Sequence, residues 1–181
     1  MRKFTTRDLT LAAVVAALYT ALSYFGNIFG LTYGPIQCRF SEALCVLPFL
    51  FPATVPGLFV GCLLTNLMST VGALDIVLGS LATLIAAVWT RWMPTRWLAP
   101  LPPVVCNGVI IGAMIAWYEV GFTSAFWGVF AFNGITVAIG ELIACYVLGT
   151  LLLTVMPRIP FFRAMIPAER LAGLERRLKH S

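Results

Sequence analysis

Long apolar runs, broken at short intervals by Pro, Gly and single charges, divide the chain into stretches 9–29, 40–51, 54–71, 75–92, 100–119 and 128–156. A helix of about 20 mostly apolar residues crosses a ~30 Å hydrocarbon core, so the pattern predicts transmembrane helices rather than the faces of a soluble globule. The second stretch is short, since Phe40 to Phe51 rises only about 18 Å as an α-helix. Charge placement argues for counting it as a crossing. Of the twelve Lys and Arg residues, eleven lie in three places: Arg2, Lys3 and Arg7; Arg91 and Arg96; and Arg158, Arg163, Arg170, Arg176, Arg177 and Lys179. Cytoplasmic loops concentrate Lys and Arg. Six crossings put all three groups on the cytoplasmic side, whereas five would force the basic tail outside. The loops on the outer side then fall near 30–39, 71–75 and 119–127, with the tight turn Pro52-Ala-Thr-Val-Pro56 on the inner side.

Composition agrees with this division. The 181 residues are 60% hydrophobic and 10% charged, and the mean hydropathy is +0.94. Such a chain has too few polar groups to cover a soluble domain. The net charge of +5 reads as topology and not as a nucleic-acid surface, because the cations sit at span ends instead of interleaving with aromatics on one face. Five scattered cysteines without a CxxC spacing imply neither a disulfide framework nor a zinc site, and they read as small apolar residues. The only histidine is His180. With no Cys–His pair and no metal cluster in the pattern, enzyme chemistry is not expected, and no cofactor is implied. The first apolar run extends to Phe25 with no A-x-A pattern after it, so it is expected to be a retained span and not a cleaved signal.

Within the spans, stripes of small residues predict close helix contacts. The third span carries Gly57, Gly61 and Thr65, and the fifth carries Gly108, Gly112 and Ala116. The first span has overlapping pairs among Ala12, Ala13, Ala16, Ala17 and Ala21, a surface suited either to internal packing or to docking on another membrane protein. Residues 1–157 are expected to form one transmembrane domain. Beyond it, residues 158–181 turn basic and amphipathic, with Leu171, Leu174 and Leu178 at helical spacing, as an interfacial helix on the cytoplasmic leaflet would be.

Candidate chemistry lies in the polar residues set among apolar neighbours. An ionisable group inside a bilayer costs at least ~2.5 kcal/mol on insertion scales, so each calls for a partner or a task. Arg39 and Glu42, three residues apart, would meet on one helical turn, either to neutralise each other or to face a ligand. Asp75 stands at the outer mouth of the fourth span as a helix cap or a ligand group. Glu141 lies about 20 Å along the last span with no cation near it in sequence. It must hold a proton, bond to another helix or receive a ligand's donors. Asn66, Asn107 and Asn133 either bridge helices or bind. Tyr33, Trp117, Tyr118, Phe126 and Trp127 form an interfacial belt or a stacking surface. Together these groups suit a small planar ligand rich in hydrogen-bond donors, with a cationic substituent among the options.

In order along the chain, Ile36-Gln-Cys-Arg-Phe-Ser-Glu-Ala-Leu44, Leu47-Pro-Phe49, Pro56-Gly-Leu-Phe-Val-Gly61, Asp75-Ile-Val-Leu-Gly-Ser-Leu-Ala-Thr83, Pro102-Pro-Val-Val-Cys-Asn107 and Val137-Ala-Ile-Gly-Glu-Leu142 resemble the QueT family. These are substrate-binding S components of energy-coupling factor (ECF) transporters assigned to queuosine precursors. The resemblance implies an all-α integral membrane protein of six transmembrane helices in an S-component bundle, with both termini cytoplasmic, in the bacterial plasma membrane. It further implies capture of a 7-deazaguanine base such as 7-aminomethyl-7-deazaguanine, and partnership with a transmembrane coupling subunit and two ATPases. No Walker A motif occurs in this chain, as that division of labour requires. The family's polar pattern falls on Gln37, Arg39, Glu42, Asn66, Asp75, Asn107 and Glu141. By that resemblance Glu141 takes the guanine-like edge with Asn107 or Asn133 assisting, and Asp75 or Glu42 meets an aminomethyl cation. Tyr118 and Trp127 are candidates for stacking, and Ala12, Ala13, Ala16, Ala17 and Ala21 for docking. The alternatives are an S component for another vitamin-like or nucleobase-like ligand, and a carrier or channel needing no ATPase.

Overall fold

A computed structural model describes residues 4–29, 39–67 and 72–172. All regular structure among the described residues is helical, with no strand. Helix α1 (Thr6–Ile28) opens on a capping box, in which Thr5 and Asp8 exchange side-chain and backbone hydrogen bonds. That arrangement satisfies backbone N–H groups which the first helical turn leaves without partners. Helices α2 (Val55–Leu67), α3 (Ser80–Arg91), α4 (Leu101–Val120) and α5 (Phe126–Leu142) follow, and α6 (Thr150–Val155) continues the line of α5. Among the described residues three helices are long and apolar enough to cross a membrane: Thr6–Ile28, Leu101–Val120 and Phe126–Arg158.

The 40–51 stretch differs from the expected α-helical crossing. Phe40–Phe49 is a 3₁₀ helix of ten residues. At ~2 Å rise per residue it extends about 20 Å, well short of a ~30 Å core. Every residue from Ser41 to Phe49 is buried, so this helix sits inside the bundle against α1, α3 and Ile143–Gly149. A 3₁₀ helix places residues i and i+3 in line, and here that concentrates Glu42 and Cys45 on one face. Two π-helical turns interrupt the other helices, at Asp75–Gly79 before α3 and at Ile143–Gly149 after α5. Such turns bend the hydrogen-bond ladder and re-aim side chains, and they recur at functional sites. Both flank the cavity described below.

Small residues set the closest helix approaches. A Cβ on Gly57 would lie 2.2 Å from the Ala12 carbonyl oxygen, and one on Gly61 would lie 2.9 Å from that of Ala16. The α1–α2 seam is therefore built on Ala12 and Ala16, which are buried, while Ala13, Ala17 and Ala21 face outward. On the other side of the bundle Gly112 meets Gly134, where a Cβ would come within 2.6 Å of the Gly134 Cα. The glycine stripes of the third and fifth spans thus serve packing within this bundle.

One end of the molecule gathers several segments that are distant in sequence. Thr90 closes the hairpin after α3 by donating to the Ala99 carbonyl at 3.2 Å. Phe162, Met165 and Leu171 pack round Ile166, which is buried against the cluster containing Phe49, Leu50 and Phe51. Arg170 donates to the Arg91 carbonyl. A groove at the same end is lined by Phe4 and Asp8 of the N-terminal segment, Pro52 of the turn, Arg91, and Pro167 and Glu169 of the tail. Both ends of the described chain and the basic hairpin therefore lie at one end of the molecule. At the same end Arg91 and Arg96 lie over Trp92 and Trp97, at 5.1 and 5.2 Å from the ring centroids. The tail is thus packed on the bundle through residue 172, and Leu174 and Leu178 lie outside the described residues.

Candidate functional site

Five elements supply the walls of a small polar cavity: the 3₁₀ helix with its cap residue, the π turn before α3, α3 itself, α4 and α5. Its lining comprises Arg39, Glu42, Gly79, Thr83, Asn107, Ile111, Val137 and Glu141. The space open to the centre of a water-sized sphere is about 10 Å³, room for roughly one water molecule. Both carboxylates are deeply buried, Glu42 at 2% exposure and Glu141 at 5%.

Each carboxylate is held by neutral donors from two directions. Tyr19 on α1 donates its hydroxyl to Glu42 Oε1, and Cys45 Sγ donates to Oε2 at 3.0 Å. Asn107 Nδ2 donates to Glu141 Oε1 at 2.8 Å, while Cys145 Sγ lies 3.7 Å from Oε2. The single Cys145 thiol proton has the Glu42 backbone carbonyl as its nearer acceptor, at 3.3 Å, so this residue stands between the two acidic centres. Arg39, the cap residue of the 3₁₀ helix, stands within electrostatic reach of Glu42, Asp75 and Tyr19. A carboxylate whose two oxygens are fixed in this way has little rotational freedom left, and it presents its remaining lone pairs in a set direction.

Behind the Gly79 wall lies a second polar group. Asn66 Nδ2 donates to the Asp75 carbonyl at 3.1 Å and reaches Cys62 Sγ at 3.5 Å. Thr83 Oγ1 meets the same sulfur at 3.2 Å. A Cβ on residue 79 would fall 2.6 Å from Asn66 Nδ2 and 3.2 Å from Asp75 Oδ1. Only glycine there lets this second group press against the cavity wall. Asp75 sits buried at the start of the π turn.

Of the residues read from the sequence, the structure brings Arg39, Glu42, Asn107 and Glu141 together in the cavity, with Asn66 and Asp75 directly behind it. Asn133 is elsewhere, donating to Glu119 Oε2 at 3.2 Å. Tyr118 is 44% exposed and Trp127 is 72% exposed. Trp127 packs edge-on to Phe126 and Phe130, and neither Tyr118 nor Trp127 lines the cavity. Gln37 lies outside the described residues. Tyr19, Cys45 and Cys145 were not read as site residues, and the reading of cysteine as a small apolar filler fails at both thiols. The signal for Tyr19 was a phenol in the middle of an apolar helix, where its hydroxyl needs a partner. The thiols gave no comparable signal.

Fold and cavity define the class first: an all-helical membrane protein that encloses a charged, hydrogen-bonded site. Residues 9–158 match the model of a family described as the QueT transporter, and the chain belongs to that family. A curated relative, the queuosine precursor transporter QueT of Lactococcus lactis subsp. cremoris (strain MG1363), is 35% identical over 85 residues. That match covers 47% of this chain and 50% of the relative, so it spans half of the relative's length. Family and relative are transporters and not enzymes. No solved structure matches the chain.

Proposed function

We propose that this protein is the substrate-capturing subunit of an importer for a queuosine precursor, a 7-deazaguanine base, and that the ligand occupies an enlarged form of the cavity between the 3₁₀ helix, α4 and α5. The observation that carries the reading is the convergence there of Glu42, Asn107 and Glu141, brought from positions up to 99 residues apart in sequence. Family membership and the printed function of the relative support the substrate class. A guanine-like edge offers two parallel N–H donors, which the Asn107-oriented carboxylate of Glu141 accepts side by side.

In this reading the chain crosses the bacterial plasma membrane six times with both termini in the cytoplasm. Uptake is driven by the coupling subunit and two ATPases of an ECF module, since this sequence carries no Walker A motif. The outward Ala13, Ala17 and Ala21 face of α1 meets the coupling subunit, while Ala12 and Ala16 hold the α1–α2 seam. Calorimetric titration of the purified protein with 7-aminomethyl-7-deazaguanine, the 7-cyano analogue, queuine and guanine tests the substrate. Selective submicromolar binding supports it, and no binding of any of the four by folded protein removes it. Uptake into liposomes only when ATPase partners are present supports the ECF assignment, and uptake by this chain alone refutes it.

A further inference from the structure

Two polar atoms beside the cavity lack what burial ordinarily demands. Asn66 and Ser80 are buried, at 0% and 2% exposure. Among the described residues, neither Asn66 Oδ1 nor Ser80 Oγ has a hydrogen-bond partner. Buried side-chain polar atoms are nearly always paired, because an orphan forfeits its hydration and gets nothing in return. Both atoms flank one element. Ser80 directly follows the π turn Asp75–Gly79, and Asn66 fastens that turn to α2 by donating from Nδ2 to the Asp75 backbone carbonyl at 3.1 Å. The strain of the shut cavity is thus concentrated at one wall.

The other walls are fastened from several sides. The 3₁₀ helix is buried from Ser41 to Phe49. Its Ser41 hydroxyl lies 2.8 Å from that of Ser23 on α1, Tyr19 donates to Glu42, and Cys145 holds the Glu42 carbonyl. Helices α4 and α5 meet backbone to backbone at Gly112 and Gly134. The body of α3 is anchored by Ala82, Ala86 and Ala87, all fully buried. The π turn instead exposes Val77 and packs inward through Leu78, which is only partly buried. Just ahead of it stands Gly72 at φ +122°, a backbone conformation that glycine adopts without strain. Sparse burial of this kind marks the segments that open first.

We infer that the π turn Asp75–Gly79 is the gate of the cavity: it swings away from the 3₁₀ helix, with Gly72 as its hinge and the Asn66 amide as its latch, and the two orphaned atoms gain water as it does. This rests on the proposed use of the cavity and adds the wall through which a ligand enters. Cys62 reports the motion. Its sulfur lies behind the gate, 3.7 Å from the Gly79 carbonyl oxygen, and the residue is buried. Cys45, buried on the 3₁₀ helix, reports any opening on that side.

The experiment treats purified, ligand-free, full-length protein with a charged, water-soluble methanethiosulfonate and follows Cys62 and Cys45 separately by peptide mass spectrometry. Where closing is fast, modification of a buried group tracks the population of the open form. Asn66→Leu keeps the volume and removes the latch. Cys62 should then label about fivefold faster, the ratio that one net hydrogen bond of about 1 kcal/mol supports, while Cys45 stays within about twofold of wild type. Ser80→Ala deletes a hydroxyl that is unpaired when the gate is shut and hydrated when it is open, so Cys62 should label about fivefold more slowly. Parallel changes at Cys62 and Cys45 overturn the gate, and so does a Cys62 rate indifferent to both substitutions. Ser80→Ala removes a single unpaired atom and decides the matter if Asn66→Leu does not fold. With no ligand present, these outcomes stand apart from the calorimetric test of the substrate: a gate without binding removes the transport reading alone, and binding without a gate removes the gate alone.

Discussion

The tightest contact in the molecule yields its sharpest structural prediction. Gly57 on α2 faces the backbone of α1 at Ala12, where a Cβ would sit 2.2 Å from the carbonyl oxygen and 2.9 Å from both the carbonyl carbon and the Cα. Real Cβ atoms essentially never come closer than 3.0 Å, so Gly57→Ala must part the two helices by at least 0.8 Å, the difference between those distances. The obstacle is backbone, and no rotamer relieves it. A radial gap of 0.5–1 Å forfeits roughly a quarter to a half of the dispersion energy of the atoms it separates. Overpacking of this kind costs about 1–3 kcal/mol. Replacing a mid-helix glycine by alanine returns about 0.5–1 kcal/mol through the backbone, which leaves a net loss of up to about 2.5 kcal/mol. The control is Gly128→Ala on α5, where nothing lies within 4 Å of the added carbon and only the backbone gain remains. Thermal unfolding in detergent separates the two variants: Gly128→Ala should hold or raise the midpoint, and Gly57→Ala should lower it by up to about 10 °C, at ~2–4 °C per kcal/mol for a chain of this size. A midpoint for Gly57→Ala equal to or above that of Gly128→Ala would refute the close seam.

Other outcomes follow from contacts at the site and at the basic end. Tyr19→Phe keeps the buried ring and removes one hydroxyl donor from Glu42. Hydrogen bonds to charged groups contribute about 1.5–3 kcal/mol to stability, so the unfolding midpoint should fall by about 3–12 °C, at ~2–4 °C per kcal/mol. Asn107→Leu strips Glu141 Oε1 of its 2.8 Å donor. Binding of any guanine-like ligand should weaken measurably by calorimetry, whereas Asn133→Leu, whose amide reaches Glu119 instead, should leave affinity within about twofold of wild type, a difference of under ~0.5 kcal/mol. Ile166→Ala opens a cavity where the tail meets Phe49 and Leu50, and should cost about 2–5 kcal/mol. Limited proteolysis should then cut between residues 158 and 172 faster than in wild type.

What could be read in advance followed the cost of burying charge. Glu42, Asn107 and Glu141 stood out because apolar runs offer them no solvent, and all three line one cavity. The Lys and Arg clusters at Arg7, Arg91 and Arg170 belong to segments that meet at one end of the bundle. Helix type was not legible at Phe40–Phe49, since a ten-residue apolar run does not distinguish a period of 3.0 from one of 3.6 and only Pro48 hints at irregularity. The π turns at Asp75–Gly79 and Ile143–Gly149 were equally hidden, being single-residue insertions in the hydrogen-bond ladder. Nor did α1 alone tell which alanines face inward. That choice belongs to Gly57 and Gly61 on another helix. The two thiols escaped notice because a cysteine reads as apolar until a carboxylate stands next to it.

The water-sized cavity has a consequence for kinetics. The proposed ligand, a fused two-ring base, cannot enter a space that leaves the centre of a water-sized sphere about 10 Å³, so on that proposal the walls part before or as it arrives. If opening comes first, the open form is the only one that binds, and the apparent dissociation constant exceeds the intrinsic one by the inverse of its population. The observed association rate would then level off at high ligand concentration, at the rate with which the 3₁₀ helix and its neighbours move apart. Stopped-flow mixing would read that plateau as the opening rate of the empty protein, a property set by helix packing and independent of which base is offered.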